Sequence, residues 1–192
     1  MHRWDSKTGI YGSGSQASYG CVLFSDMVPE EQKQAVVQRL VEAVERNDYH
    51  LSSGEVGLKQ VFVSLAENGR NDVVYRMVMN KTVPSYRFFA EKGFSTLPEY
   101  WNCDELWMGM ERSRNHAMMG HVKEWISRYM LGIRPLEPAF RKIRITPWLP
   151  DGMKEIKGSI CCPFGKISVE CRREREGIVV KTDIPSGVMV CD

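Results

Sequence analysis

Within the stretch "STLPEYW", one carboxylate, Glu99, stands between Pro98 and two aromatic residues, Tyr100 and Trp101. An acid walled in this way has two readings. It is a structural group, capping a helix or paired with an arginine, or it is a proton carrier whose pKa is raised by apolar surroundings. Trp101, Trp107 and Trp125 read as core packing, and the first two equally as an apolar wall beside the acid. Glu67, Asp72, Asp104, Glu105 and Glu111 read most simply as surface charges, with Asp104 and Glu105 near enough in sequence to Glu99 to serve as a partner carboxylate.

Metal and cofactor chemistry find no support in the spacing. His116 and His121 lie five residues apart, about 140° around a helix, so one ion is not easily reached by both. The six cysteines, Cys21, Cys103, Cys161, Cys162, Cys171 and Cys191, form no C-x-x-C pair and read as free thiols. "GSGS" at Gly12 to Ser15 lacks the lysine and the preceding strand of a phosphate loop and reads as a turn. No metal and no cofactor is therefore expected.

The 192 residues carry 26 Lys+Arg against 24 Asp+Glu, a formal charge of +2, with the basic residues scattered. Neither nucleic acid nor an anionic membrane is an expected partner. No run approaches the roughly 20 apolar residues of a membrane span, and the opening "MHRWDSKTGIYGSGSQ" lacks the apolar segment of a signal peptide. Location stays open between cytoplasm and periplasm, since it depends on any upstream segment.

The elements that must position these residues change character along the chain. "VPEEQKQAVVQRLVEAVERN" opens with Pro29 at a first helical position, followed by Glu30 and Glu31, and carries Val36, Val37, Leu40, Val41 and Val44 as one stripe. "HLSSGEVGLKQVFVSLAENG" places Leu58, Val61, Phe62 and Leu65 at helical spacing, with Gly69 to stop the helix. "GSQASYGCVLFSDM", "NDVVYRMVMN", "VPSYRFFAEKG" and "NHAMMGHVKEWISRYMLGI" complete about six helices, the last with Met119, Val122, Ile126, Tyr129, Met130 and Ile133 on one face. Past "RPLEP" the period becomes two: "FRKIRITPW", "GKISVECRR", "GIVVKTD" and "GVMVC" read as short antiparallel strands, with Arg172 to Glu176 as a solvated turn. The fold class is mainly α with a β C-terminal part.

Taken in order, "GSGSQASYGCVLFSDMVPEEQKQAVVQRL", "HLSSG", "VPSYRFFAEKGFSTLPEYW", "RNHAMMGHVKEWISRYMLGI" and "FRKIRITPWLP" resemble the C-terminal portion of bacterial α-L-rhamnosidases, over nearly the whole chain. The resemblance implies a partial (α/α)₆ six-hairpin toroid over 1–136 and a small antiparallel β-sandwich over 137–192. It also implies an inverting hydrolase that removes terminal α-L-rhamnose from glycans, with a general acid and a general base about 6.5–9.5 Å apart. In that family the base lies in a "TTxWExW"-like stretch, and Glu99 falls at its carboxylate, with Pro98 where an aromatic residue is common. The family's "NH" dipeptide falls on Asn115 and His116, with the imidazole expected to bond the sugar. Trp101 and Trp107 would line the pocket, and His50, in "HLSSG", would face it.

Nothing in residues 1–28 resembles the family's general-acid motif. Two classes of function follow: part of a rhamnoside hydrolase whose acid lies on a missing N-terminal part of the toroid, or a non-catalytic module that binds sugar or a partner chain. Half a toroid leaves apolar helix faces to be covered, so either the missing part or self-association is expected.

Overall fold

The computed structural model describes residues 4–5, 9–102 and 112–191. They form two compact units, 1–122 and 123–192.

The first unit opens with a two-stranded hairpin, β1 (Trp4–Asp5) and β2 (Ile10–Tyr11), which the sequence pattern does not announce because each strand is only one residue pair long. Helices α1 (Gln16–Phe24), α2 (Glu30–Glu45), α3 (Glu55–Glu67), α4 (Asn71–Val78) and α5 (Tyr86–Glu91) follow. Ser15 caps α1 by accepting the Ser18 N–H, and Ser85 caps α5 by accepting that of Phe88, each satisfying one of a helix's unpaired first-turn donors. Pro29 takes the cap position of α2, one residue earlier than expected, so Glu30 and Glu31 both fall in its first turn. The expected stripes are buried: Val36, Leu40 and Val44 on α2, and Leu58, Val61, Phe62 and Leu65 on α3. Gly69, at φ +76°, ends α3 in a conformation that favours glycine.

Helices α1 and α3 pack closely. A Cβ on Gly20 would lie 2.9 Å from the Val61 backbone nitrogen, and one on Gly57 would lie 2.7 Å from the Ala17 Cβ. The buried Ser64 hydroxyl donates to the Gly20 carbonyl at 3.0 Å. This contact fixes how the starts of the two helices meet, and the candidate site lies there.

The stretch after His116 is not one helix. Ala117–Met119 is a 3₁₀ turn, α6 (His121–Trp125) a short α-helix and Ile126–Met130 a π-helical turn, all bearing the single apolar stripe read from sequence. Ile133, expected on that stripe, belongs instead to β3 (Ile133–Pro135), because Gly132 at φ +74° breaks the run and admits the backbone of Thr146 within 2.5 Å of where a Cβ would stand.

In the second unit, β3, β4 (Lys142–Ile145) and β8 (Met189–Cys191) form one sheet. The other consists of β5 (Glu155–Cys162), β6 (Gly165–Glu174) and β7 (Gly177–Asp183). Both sheets contribute to one core: Ile133 and Ile143 from the first, and Ile167, Val169 and Cys171 from the second. Two expectations are corrected. The β8 strand runs parallel to β4, since a period of two fixes faces and not direction. Arg172–Glu174 is strand and not turn: Arg172 pairs across to Glu155 at 3.2 Å, and its charge lies on the solvent face of the hairpin. Among the described residues no helix is long and apolar enough to cross a membrane.

Candidate functional site

Glu99 lies on irregular backbone, paired with a second irregular segment. Its N–H donates to the Ser113 carbonyl at 2.9 Å, the His116 N–H donates to the Leu97 carbonyl at 2.8 Å, and the Thr96 hydroxyl donates to the Arg114 carbonyl at 2.5 Å. These bonds set 96–99 beside 113–116. Pro98 is buried, and the Glu99 side chain is 26% exposed.

Among the described residues the carboxylate makes two hydrogen bonds, both long. Oε1 accepts from Arg112 Nη1 at 3.4 Å, and Oε2 from the Ser113 N–H at 3.3 Å. The Arg112 guanidinium also lies 5.3 Å from the centre of the Tyr100 ring. A half-exposed ion pair of this length contributes less than about 1 kcal/mol, so Glu99 is oriented without being a strong structural strut. A carboxylate offers about four lone-pair sites, which leaves capacity for a water molecule.

Trp101 faces inward from the same segment. Its ring stacks on Phe89 at 5.7 Å and meets Tyr86 edge-on at 5.5 Å, and its Nε1–H donates to the Ser53 carbonyl at 3.4 Å. Tyr86 in turn donates its hydroxyl to the Met119 carbonyl at 2.6 Å, and burial pushes its phenol pKa well above the ordinary value. An aromatic wall therefore joins Trp101 to the turn that begins at His116.

His116 caps that turn, its Nδ1 accepting the Met118 N–H at 3.1 Å. A backbone N–H can only donate, so this bond assigns the ring proton to Nε2. The ring is half-buried and presents Nε2–H as a donor. Asn115, beside it, is exposed.

His50 is placed differently. Its Nδ1 meets the Asn47 carbonyl at 3.0 Å and its Nε2 the Thr82 hydroxyl at 2.6 Å, so both ring nitrogens are engaged by protein. The chain from His50 to Ser53 is nevertheless built into the site's frame. The buried Gln16 donates its amide to the His50 carbonyl at 2.9 Å and accepts the Ser52 N–H at 3.2 Å, while the Leu51 N–H reaches Pro84 at 3.4 Å. The starts of α1, α3 and α5 are thereby stitched together next to Trp101.

Glu99, Trp101 and His116 are thus brought onto one connected frame, with His50 at its margin. Trp107, Asp104, Glu105, Glu111 and Cys103 lie outside the described residues. Sequence reasoning missed Arg112, Ser113, Gln16 and Tyr86. Only Gln16 carried a signal, as a polar residue opening a run of small and apolar ones. Among the described residues no group of three or more His, Cys, Asp or Glu side chains could hold a metal ion.

Comparison with known proteins gives two family matches: the bacterial α-L-rhamnosidase six-hairpin glycosidase domain over residues 1–130 and the bacterial α-L-rhamnosidase C-terminal domain over 132–190. An α-L-rhamnosidase from Alteromonas sp. (strain LOR) is 30% identical over 93% of this chain and 20% of its own length. The crystal structure of Streptomyces avermitilis α-L-rhamnosidase complexed with L-rhamnose matches with a TM-score of 0.88 and 26% identity, over 97% of this chain and 19% of that one. The α-L-rhamnosidase from Dictyoglumus thermophilum matches with a TM-score of 0.82 and 30% identity, over 91% of this chain and 20% of that one. The chain spans about a fifth of the length of the curated relatives it matches. Its helices followed by strands are part of a six-hairpin toroid and the β domain that follows it.

Proposed function

The chain belongs to the bacterial α-L-rhamnosidase family, and on that premise we propose that it is the C-terminal part of an inverting glycoside hydrolase that removes terminal α-L-rhamnose from glycans or glycosides. Glu99 is the general base: it takes a proton from the water that attacks the anomeric carbon. A general acid on the far side of the sugar protonates the leaving oxygen. That acid is supplied by toroid helices beyond those described here. His116 donates from Nε2 to a sugar hydroxyl, Trp101 and Trp107 form the apolar wall, and His50 borders the cavity.

The observation that carries this reading is the state of the Glu99 carboxylate. It is half-buried and oriented by two long contacts, with hydrogen-bonding capacity to spare. The test is a chimera in which this chain replaces the matching fifth of the Streptomyces avermitilis enzyme, assayed on an aryl α-L-rhamnoside. Glu99→Gln is expected to lower kcat by about 10²–10⁴-fold, and the first sugar anomer released, read by NMR, is expected to be inverted. Unchanged kcat in the variant, or retention, overturns the proposal.

A second reading, sugar binding without turnover, is favoured by the single motif-matched carboxylate in this sequence. Saturable rhamnose binding by an inactive chimera would select it. In either case the helical unit is completed by the rest of the toroid or by a second copy. Met27, Val56 and Phe24 are 67%, 77% and 45% exposed on its helical part. Sedimentation of the isolated chain is expected to show association, and a clean monomer counts against this.

A further inference from the structure

We propose that the outer face of the β5–β6–β7 sheet is a second carbohydrate-contact site, a groove for a neutral sugar chain built from the β unit alone. The ligand class rests on the proposed function, whereas the groove rests on geometry.

The groove measures about 380 Å³; it is a shallow depression open to solvent, and not an enclosing pocket of the kind that buries most of a ligand. Its side chains come from all three strands: Lys157 and Ser159 on β5, Ser168 and Glu170 on β6, Lys181 and Asp183 on β7. Register places them in two rows, Lys157 opposite Glu170 opposite Lys181, and Ser159 opposite Ser168 opposite Asp183. Alternation then puts all six on one face, because Ile156, Ile160, Ile167, Val169 and Cys171 point the other way into the core.

Opposite charges facing each other across strands usually pair. Here they do not. Glu170 turns along its own strand to Arg172 at 2.8 Å. Among the described residues, neither lysine, nor Asp183, nor either serine hydroxyl makes a side-chain hydrogen bond or ion pair with protein. Donors and acceptors therefore stand side by side around a concavity with their bonding capacity unspent on one another. The two lysines balance Glu170 and Asp183, so the groove has no net charge with which to select a polyanion or a polycation. Interleaved donors and acceptors without net charge suit a neutral polyhydroxylated ligand, whose hydroxyl groups both give and accept. Among the described residues no aromatic side chain lines the groove, so stacking adds nothing there and each new bond replaces one to water. Affinity in the millimolar range is expected.

The experiment is a titration of the nitrogen-15-labelled full chain with a neutral oligosaccharide ending in α-L-rhamnose, with glycerol at matched hydroxyl concentration as control. Saturable shifts are expected at the amides of 157–159, 168–170 and 181–183. They should persist in Glu99→Gln and weaken about tenfold or more in Lys157→Met/Lys181→Met. Both lysines are exposed, and should that pair disturb the spectrum, Ser159→Ala/Ser168→Ala gives the same reading. Unmoved amides at tens of millimolar, or equal shifts with glycerol, overturn the groove. Shifts confined to 96–101 and 112–116 also overturn it while upholding the Glu99 site. Shifts at the groove amides alongside an inactive chimera uphold the groove and sink the hydrolase reading.

Discussion

Glu99 sits on backbone whose hydrogen bonds run to another irregular segment 14 residues away or more, whereas β5, β6 and β7 pair through an unbroken ladder from Cys162–Gly165 to Glu174–Gly177. In the ladder each residue's facing follows from its neighbours by a period of two, so position is a local property. Around Glu99, position depends on three helix starts being held together by Gln16, Ser53 and Pro84. The proposed chemistry falls on the part of the fold whose geometry is a long-range result. Changes there should have effects that separate from stability, and changes at the ladder's core-facing positions should not.

The largest separation expected is at Glu99 itself. Glu99→Gln keeps the acceptor for Arg112 and gives up only a half-exposed charge pair, so its unfolding free energy should move by less than about 1 kcal/mol. The chimera's kcat should meanwhile fall by about 10²–10⁴-fold. Urea unfolding measured beside the assay checks this, and a stability loss matching the activity loss would make Glu99 a strut.

Next in size is the helix contact that supports the site. Gly20→Val would drive a branched side chain against the Val61 backbone, which cannot turn aside. Overpacking of this kind costs about 1–3 kcal/mol, and the upper end is expected. The displaced α1 should also loosen Gln16 from the 50–53 chain. Trp101 fluorescence should therefore change below the unfolding transition, and an unaltered spectrum would show that the site does not depend on this contact.

The contrast between the regions also marks what was legible beforehand. Helices α2 and α3 were readable because their stripes, Val36 to Val44 and Leu58 to Leu65, sit at helical spacing and are buried. Glu99 was singled out by its type and neighbours. Arg112 and Ser113 were not, because two irregular segments meet without any period to announce it. The break of 117–130 into three helical forms was hidden because one apolar stripe serves all of them. The parallel pairing of β8 with β4 was hidden because alternation carries no direction.

A smaller effect is expected from alkali. The unfolded chain's tyrosines ionise near pH 10, while burial holds the Tyr86 phenol protonated to higher pH. A folded pKa raised in this way gives stability that is complete below the unfolded value and lost as pH climbs from about 10 toward the folded one. Cys171, raised by burial in the β core, acts in the same sense from its ordinary value upward. Tyr86→Phe removes the tyrosine part. It should flatten the alkaline decline in thermal melts above about pH 10, at the cost of about 1–3 kcal/mol at neutral pH for the Met119 carbonyl left unpaired. An unchanged alkaline slope would assign the decline to other groups.

The smallest effect expected is in the ladder, at a glycine that resembles Gly20 on paper. A Cβ on Gly158 would lie 2.6 Å from an atom of Leu131, as tight a contact as any in the helix pair. The atom it meets is Cδ1, the far end of a flexible side chain, and not backbone. Leu131 can rotate, and β5 is held by its ladder to β6 before and after the Gly158–Val169 pair. Alanine also lowers the conformational entropy of the unfolded chain, by about 0.4–1 kcal/mol in favour of folding. Gly158→Ala should therefore shift unfolding by less than about 1 kcal/mol, against the larger loss for Gly20→Val. Equal losses at the two glycines would mean that the β core is as unforgiving as the helix pair. The difference between local and long-range positioning would then fail as the account of where the proposed site lies.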